Sequence, residues 1–508
     1  MVIKFDCARL EATPVKSRSP LTAKSGLGHW MLQAPRKAAK AADELTSGSV
    51  HDVRVVLRRC RSLVDGFRAV DPDKRWKKMR RSAKGLFDSL GALRDSYVMQ
   101  EWVKKLGQES DPVTPALLAH FKKQESDLKQ QARRAIKSFD VKQWNQWSSS
   151  LPRRAARLPV NSEVFQTLAL EKLTAARRLQ SQALKTESDA ALHRLRIALK
   201  KFRYAVENFL PILHPAWGDD LKRLQDLLGE VHDLDLLRQT LSQVCADVPS
   251  QSRGRWEEIL QRERTARIAQ YRGMMLGENS LWSRWRSALP RGKAARNASL
   301  TRLQAWSSFL DSDLKHSRRV ARFALGLYNG LEQAGVINSS HKNDRELLRA
   351  AATVHEVGRA QGNKNHHKKT EKMVVQLRHL AGWTHRDVTA MAQIARYHRG
   401  QLPRREKLRH LPRAERNKVK LLAGVLRLAN ALDADHRGSI QRFKVARNNG
   451  FVIIRAQGLV ADSSLAETIA AARHLLEITC GLPVLVQPMP ARLFGRTKPG
   501  SPRPHQER

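Results

Sequence analysis

The 508-residue sequence is poor in cysteine and in aromatic residues, and it has no long apolar run. The cysteines are scattered without a C-x-x-C pair, which argues against a disulfide framework and a thiolate zinc site; they are Cys7, Cys60, Cys245 and Cys480. The longest apolar candidate, 421–432, is interrupted by Arg427 and is too short to span a bilayer. Residues 1–10 lack the pattern of a signal peptide. We therefore expect a cytoplasmic protein without membrane insertion.

Acidic residues are also scarce relative to basic ones. The chain has 93 Lys and Arg against 48 Asp and Glu, which gives a formal net charge of +45. A hydrophobic content of 41% is enough for ordinary cores, so the charge does not indicate general disorder. A charge of this size indicates a polyanionic partner: nucleic acid, an anionic membrane surface or another phosphate polymer.

One pattern of cations occurs twice, about 140 residues apart. It is His-x-x-Arg-x-x-x-cation-cation-x-Arg, and the two copies span 51–61 and 193–203. On a helix the His, the first Arg, the next cation and the last Arg fall within an arc of about 80° on one face. Because like charges on one stripe repel each other, two such stripes indicate a shared polyanionic ligand. The ordinary alternative is a solvated basic surface.

A second element follows each stripe at nearly the same distance. It is Leu90-Gly91-x-x-Arg94-Asp95 in the first half and Leu228-Gly229-x-x-His232-Asp233 in the second. Two elements that recur in the same order predict duplicated helical bundles. The glycine fits a close helix crossing, and the aspartate supplies a carboxylate that can orient a neighbouring Arg or Lys.

These motifs, with a second copy ending Lys-Lys-Phe-Arg-Tyr-x-x-Glu over 200–207, resemble the CHAD (conserved histidine α-helical) domain. The resemblance implies two pseudo-symmetric four-helix bundles with a basic cleft that binds inorganic polyphosphate, without a required cofactor. The residues that we expect to bind polyphosphate are the two stripes and three further cations: His51, Arg54, Arg58, Arg59, Arg61, Lys78, Arg81, His193, Arg196, Lys200, Lys201, Arg203 and Lys222.

The chemistry of polyphosphate suits such a surface. The polymer has no bases to read, so rows of N–H donors suffice, and Arg contacts phosphate oxygens in a bidentate manner. Beside phosphate, the protonated form of His51 and His193 should be favoured. The structural alternative for each histidine is a neutral core residue bonded to a backbone carbonyl.

The second half contains residue types that bind metals. The ordered set His316, His355-Glu356 and Asp433 resembles the HD superfamily of metal-dependent phosphohydrolases, which implies a divalent manganese or magnesium ion held by His316, His355, Glu356 and Asp433. Glu356 stands where that pattern has Asp, and the extra methylene shifts the carboxylate by about 1.5 Å, more than metal distances tolerate. A buried hydrogen-bonded cluster is the structural alternative.

The same region, about 300–488, more closely resembles the C-terminal region of Ppx/GppA exopolyphosphatases. In that family an N-terminal actin-like module carries out hydrolysis, and we find no such strand-rich region here. The resemblance implies an accessory polyphosphate-handling domain without its catalytic partner, so we favour a non-catalytic role for this region. His366, His367 and His398 stand beside lysines and arginines, so we expect them to contact anions at the surface.

The predicted fold is mainly α: a CHAD-type pair of bundles, then an HD-like helical domain with a small α+β unit. Strands are expected at 443–445 and 451–455 around the turn signal Asn448-Asn449-Gly450, then a helix over 464–479 and a strand at 484–486. The predicted divisions are a flexible basic tail at 1–27, the CHAD-like domain at 28–290, the HD-like domain at 300–440, the α+β unit at 441–490 and a flexible tail at 491–508.

Three functions remain open at this point. The leading prediction is a cytoplasmic polyphosphate-binding protein associated with polyphosphate granules. The alternative is a metal-dependent phosphohydrolase, exopolyphosphatase-like, in which the CHAD region captures the substrate. Nucleic-acid binding is a secondary possibility, for which Trp76, Trp144 and Trp147 would supply stacking surfaces. The pattern specifies no oligomeric state.

Overall fold

The computed structural model describes residues 26–186, 188–338, 343–377, 380–409 and 411–489. The two predicted tails therefore lie almost wholly outside the described residues. Over these residues the fold is mainly α-helical, as predicted, with three short strands between residues 442 and 488. It divides into two compact units at Arg302 and Leu303. Among the described helices, none combines the length and the apolar character that a bilayer span requires.

The first unit contains two sets of helices with the same order, which is the predicted duplication. The first set is α1 (Leu27–Asp43), α2 (Ser47–Phe67), α3 (Lys74–Ser89), α4 (Gly91–Leu106), α5 (Val113–Lys137) and α6 (Val141–Ala155). The second set is α7 (Glu163–Thr186), α8 (Asp189–Phe209), α9 (His214–Val244), α10 (Ser250–Met275) and α11 (Leu281–Ser287). The second set has one helix fewer because α9 runs unbroken through Gly229. At the matching glycine of the first set, Gly91, there are two helices: α3 ends at Ser89 and α4 begins at Gly91.

The two stripe-bearing helices, α2 and α8, begin in the same way. Thr46 caps α2 through its hydroxyl, which accepts a hydrogen bond from the Ser49 amide at 3.1 Å. Ser188 caps α8 by accepting from the Ala191 amide at 3.4 Å. Each cap stands five residues before the stripe histidine, so both stripes start at the same phase of their helices.

Helices α2 and α8 also pack against each other near their C-terminal ends. A Cβ added at Gly66 would lie 2.2 Å from the Phe209 ring, so only glycine allows this approach. The Asn208 amide donates to the Ser62 hydroxyl across the same contact, at 3.0 Å. Because each stripe extends along its helix from such a crossing, the packing fixes how the stripes face each other.

The second unit begins within α12 (Gly292–Ser308) and is helical up to residue 431. Its further helices are α13 (Leu314–Gln333), α14 (Asp344–Val354), a 3₁₀ turn (Val357–Gln361), α15 (His366–Val375), α16 (His385–Arg396), a second 3₁₀ turn (Arg405–Leu408) and α17 (Arg413–Ala431). The elements that follow are β1 (Arg442–Asn448), β2 (Phe451–Gln457), α18 (Ser464–Ala472), α19 (His474–Cys480) and β3 (Val484–Pro488).

The small sheet has the order β1-β2-β3, with β1 antiparallel and β3 parallel to β2. Asn449 and Gly450, with φ of 46° and 77°, form the predicted two-residue hairpin turn. The predicted helix over 464–479 is divided into α18 and α19 at Arg473. Strand β1 packs on α13, where Val445 lies so close to Gly330 that a Cβ there would be 2.6 Å away. The sheet therefore belongs to the same compact unit as the helices before it.

Candidate polyanion cluster and histidine cluster

The two stripes converge in the first unit. Burial and four positive charges nearby together lower the pKa of Lys200 on α8 to about 7; the charges belong to Arg58, Arg196, Arg61 and Arg54. Three of these four charges come from α2, so the stripes of the two repeats meet around Lys200. We call Arg54, Arg58, Arg61, Arg196 and Lys200 the cationic cluster. The positive charges of this cluster repel one another, and an external polyanion would reduce that repulsion.

The second repeated element lies beside the first. A Cβ at Gly91 would lie 3.3 Å from Arg54 Nη1, and one at Gly229 would lie 3.9 Å from Arg196 Nε. Each glycine thus lies beside the first arginine of its own stripe, and only at Gly91 would a Cβ come closer than an ordinary van der Waals contact.

The aspartates of the same elements face the cluster as well. Asp95 interacts electrostatically with Arg54 and Arg196, and Asp233 with Arg196. Burial raises the pKa of Asp233 to about 6, although the charge of Arg196 opposes the rise. The carboxylates therefore offset part of the positive charge while leaving a large excess.

Several stripe residues are held in place by neighbours. Arg54 Nη1 donates to the Phe87 carbonyl at 2.9 Å. The guanidinium groups of Arg54 and Arg61 lie 4.1 and 4.7 Å from the centre of the Phe87 ring. Sequence reasoning missed Phe87, which orients both arginines. Glu207, the last residue of the Lys-Lys-Phe-Arg-Tyr-x-x-Glu motif, pairs with Arg59 of α2 and lies 3.7 Å from Arg203 of α8.

The surroundings of the two stripe histidines favour the neutral imidazole. Partial desolvation, Arg94 and Arg58 lower the pKa of His51, and desolvation, Arg196 and Lys200 lower that of His193. The His193 ring lies 4.7 Å from that of His232, whose pKa burial lowers to about 4. The protonated imidazoles predicted from the sequence therefore need the anion, because the neighbouring cations disfavour them without it.

The outlying predicted cations differ from the cluster. Lys78, Arg81 and Lys201 are exposed on α3 and α8, where their side chains can reach a long ligand. Lys222 is exposed too, but it lines a depression together with the carboxylates of Asp219, Asp226 and Glu230.

The three tryptophans proposed for base stacking are core residues, so that expectation is wrong. Trp76 and Trp144 are fully buried, and Trp147 is 8% exposed. The indole N–H of Trp76 donates to Asp71 at 2.8 Å, and that of Trp144 to the Met31 carbonyl at 2.7 Å. None of the three presents a face on which a base could stack.

In the second unit, three buried histidines surround Glu356. Glu356 Oε1 lies 3.3 Å from His366 Nε2, 3.4 Å from His398 Nε2 and 3.9 Å from His355 Nε2. His366 and His398 are 3.4 Å apart between their Nε2 atoms. All four side chains are at most 3% exposed, so the expectation that His366 and His398 contact anions at the surface is wrong. We call these four residues the histidine cluster.

The other nitrogen of each ring has a backbone partner three residues earlier. The Nδ1 atoms of His355 and His398 each lie 2.7 Å from a carbonyl, of Ala352 and Ala395, and that of His366 lies 3.1 Å from the Asn363 carbonyl. A carbonyl only accepts, so Nδ1 donates, and in the neutral form of each ring the Nε2 lone pair points inward. Burial lowers the pKa of His355 to about 3 and lowers that of His398.

The metal ligands predicted from the sequence divide between two groups. The ligand atoms of His316, His355 and Glu356 lie within 4.8 Å of one another, as do those of Glu356, His366 and His398. Asp433 is in neither group: its Oδ2 accepts from His316 at 2.7 Å and its Oδ1 from Arg319 Nε at 2.7 Å. Burial alone would raise the pKa of Asp433, but these two hydrogen bonds lower it.

Two family profiles agree with the division of the chain into two units. The CHAD domain family profile matches residues 29–242, and that of Ppx/GppA phosphatase, domain III, matches residues 295–467. A crystal structure of the CHAD domain from the plant Ricinus communis is 21% identical, covering 52% of this chain and 90% of that chain with a TM-score of 0.39. No curated protein matched the chain. The protein therefore contains a CHAD domain at residues 29–242 and a Ppx/GppA phosphatase domain III at residues 295–467.

Proposed function

We propose that this protein binds inorganic polyphosphate across the cationic cluster of its CHAD domain. The observation that carries the proposal is the meeting of both stripes around Lys200, whose pKa falls to about 7 among four arginines. A flexible phosphate chain supplies the negative charge that these side chains lack. Each hydrogen bond between a phosphate oxygen and a charged donor contributes about 1.5–3 kcal/mol.

The stripe residues divide into two roles under this proposal. Arg58, Arg196 and Lys200 contact phosphate at the centre, and Arg54 and Arg61 do so while stacked beside Phe87. Arg59 and Arg203 hold the two repeats together through Glu207. Further contacts along a longer chain come from the outlying cations and the histidines: His51, Lys78, Arg81, His193, Lys201 and Lys222.

Polyphosphate fits this surface better than nucleic acid does. The tryptophans considered for stacking are buried, so bases gain little here beyond the phosphate contacts. The alternative function, metal-dependent hydrolysis by His316, His355, Glu356 and Asp433, has less support because both oxygens of Asp433 are engaged. The second unit is proposed as an accessory domain, and association with cytoplasmic polyphosphate granules follows from binding.

Titration of the full chain with fluorescently labelled polyphosphate tests the proposal. With about eight phosphate contacts, the plot of log affinity against log salt should have a slope near −5 to −6. Changing Arg54, Arg58, Arg196 and Lys200 together to Gln should lower affinity by at least about a thousandfold and make the slope shallower by about 3.

The matched control removes four exposed cations of α5: Lys122, Lys123, Arg133 and Arg134. This variant has the same net charge and should bind within about threefold of the original chain. Equal losses in both variants would reject the cluster as the site, and so would a slope near zero. Circular dichroism establishes that both variants are folded. RNA of matched charge should compete poorly; equal competition would favour a general polyanion binder.

A further inference from the structure

We propose that the histidine cluster of the second unit is a zinc site formed by Glu356 Oε1, His366 Nε2 and His398 Nε2. This ligand set differs from the one that the sequence suggested, since it omits His316 and Asp433. The proposal does not rest on polyphosphate binding, because the residues of the zinc site lie in the other unit.

The first argument is electrostatic. His366 and His398 donate through Nδ1 to backbone carbonyls, so in the neutral ring Nε2 is an acceptor. Both Nε2 atoms nevertheless face each other and the same carboxylate oxygen at 3.3–3.4 Å. Lone pairs aimed at one another repel in a buried site unless a cation lies between them.

Protons are the simplest cations, but they suit this place poorly. One proton gives a donor to one imidazole and leaves the Nε2 lone pair of the other facing the carboxylate oxygen. Two protons would bury two positive charges against one carboxylate, and Glu356 is already paired with Arg359. One divalent ion among the three ligand atoms satisfies both lone pairs and the carboxylate oxygen together. Backbone carbonyls that fix the Nδ1 tautomer are the usual outer partners of metal-binding histidines.

The second argument is geometric. Ligand atoms about 2.0–2.1 Å from a tetrahedral ion lie about 3.3–3.4 Å apart, whereas neighbouring ligands of an octahedral ion at that distance lie about 2.8–3.0 Å apart. The three separations among Glu356, His366 and His398 are 3.3, 3.4 and 3.4 Å. The spacing therefore fits a tetrahedral ion better than an octahedral one, and two imidazoles with one carboxylate are a donor set that zinc takes.

Three protein ligands leave one position of a tetrahedral ion for water. His355 is fully buried, and its Nε2 has no hydrogen-bond partner among the described residues. It lies 3.9 Å from Glu356 Oε1, too far for a ligand of the same ion and near enough to accept a hydrogen bond from that water. The proposal thus accounts for an otherwise unpartnered buried nitrogen.

The test uses the full chain, stripped with a chelator, desalted and titrated with zinc chloride by calorimetry. Metal content is measured after a second desalting step. The expected result is one zinc per chain. His366→Gln and His398→Gln should each weaken binding by about a hundredfold or more, since even outer partners of metal ligands contribute about 10–100-fold.

Two control variants make the assignment specific. His367→Gln changes the half-buried neighbour of His366, and Asp433→Asn changes a ligand suggested by the sequence alone. Both should bind zinc as the original chain does. Loss in Asp433→Asn with retention in His366→Gln would overturn the proposed ligand set, and an original chain that binds no zinc would overturn the site.

Cobalt substitution covers the case in which the histidine variants fail to fold. The original chain loaded with cobalt(II) should show the intense visible absorption of a four-coordinate ion, lost when one equivalent of zinc is added. The weak absorption of a six-coordinate ion, or displacement that needs several equivalents, would overturn the tetrahedral site.

Discussion

The cationic cluster and the histidine cluster each contain an unbalanced set of polar groups, and the imbalance has opposite signs in the two. Around Lys200, positive charges outnumber carboxylates at a partly exposed surface. Around Glu356, imidazole lone pairs outnumber donors in a buried core. Each site thus lacks a partner of one sign, an anion in the first and a cation in the second. An unbalanced set of polar groups indicates the kind of ligand before any ligand is seen.

The contrast between the two clusters would fail if removing one carboxylate had the same effect on the protein in both of them. Glu356→Gln should give the largest change, a loss of about 3 kcal/mol in the stability of the second unit, because it leaves Arg359 and the imidazoles without their buried counter-charge. Hydrogen exchange read by mass spectrometry on peptides from α13 to α17, with chelator present, measures the change in that unit alone.

Peptides of the first unit are the internal control and should exchange as before. Unchanged protection around α15 and α16 would mean that Glu356 contributes little, and the contrast between the regions would then lose its basis.

The pH dependence of polyphosphate binding examines the cationic cluster directly. The pKa of Lys200 is about 7 in the free protein, and bound phosphate should raise it toward the ordinary value of 10.5. The complex then holds more protons than the free protein above pH 7. Affinity should therefore fall as pH rises from 7 to 9, by up to about tenfold per pH unit.

Lys200→Arg keeps the charge at every pH in this range, so its affinity should stay nearly level. Calorimetry in buffers of different ionisation enthalpy should detect uptake of up to one proton by the original chain and less by the variant. Equal pH dependence in both proteins would place the titrating group elsewhere.

The cationic cluster was accessible from the sequence because its pattern is local and repeated. His51 to Arg61 and His193 to Arg203 each lie on one helix, and helical spacing alone aligns them. The helices, the hairpin at Asn449-Gly450 and the duplication could be predicted for the same reason, because each depends on a local or repeated pattern. Phe87 was missed because it reaches Arg54 and Arg61 from α3, and no periodicity links those segments.

The histidine cluster was misplaced for a related reason. The charged neighbours of His366 suggested a surface, yet successive residues of a helix point about 100° apart, so Lys368, two residues on, points to nearly the opposite side of α15 from His366. The informative signal was the spacing of His366, Thr370 and Val374, which form the buried face of α15. Pairing with Glu356 depends on tertiary packing, which a single sequence does not encode locally. Trp144 and Trp147 teach the same lesson, since with Leu151 they follow a core spacing.

A smaller change sharpens the contrast with Glu356. Asp233→Asn removes a carboxylate from the cationic surroundings, and polyphosphate affinity at pH 7.5 should rise by about fivefold, ~1 kcal/mol, because Arg196 loses a competing anion. Competition titration against the original chain measures the ratio.

The pKa of Asp233, about 6, provides the check. At pH 5 the carboxyl group of the original chain is protonated, so the two proteins should bind alike. A gain that persists at pH 5 would come from altered packing and not from the charge.

The smallest expected effect compares the two repeats. Gly91→Ala places a Cβ 3.3 Å from Arg54 Nη1, closer than most such contacts, whereas Gly229→Ala leaves 3.9 Å to Arg196 Nε. Gly229 lies in the interior of α9, so its variant gains helix propensity, about 0.5–1 kcal/mol, whereas Gly91 is the first residue of α4 and its variant gains less. Only the first must shift an arginine of the cationic cluster, and its polyphosphate affinity should fall by about twofold, ~0.4 kcal/mol. Paired titrations resolve this difference. Equal affinity would mean that Arg54 moves aside freely and that the close contact at Gly91 does not determine the position of the cation.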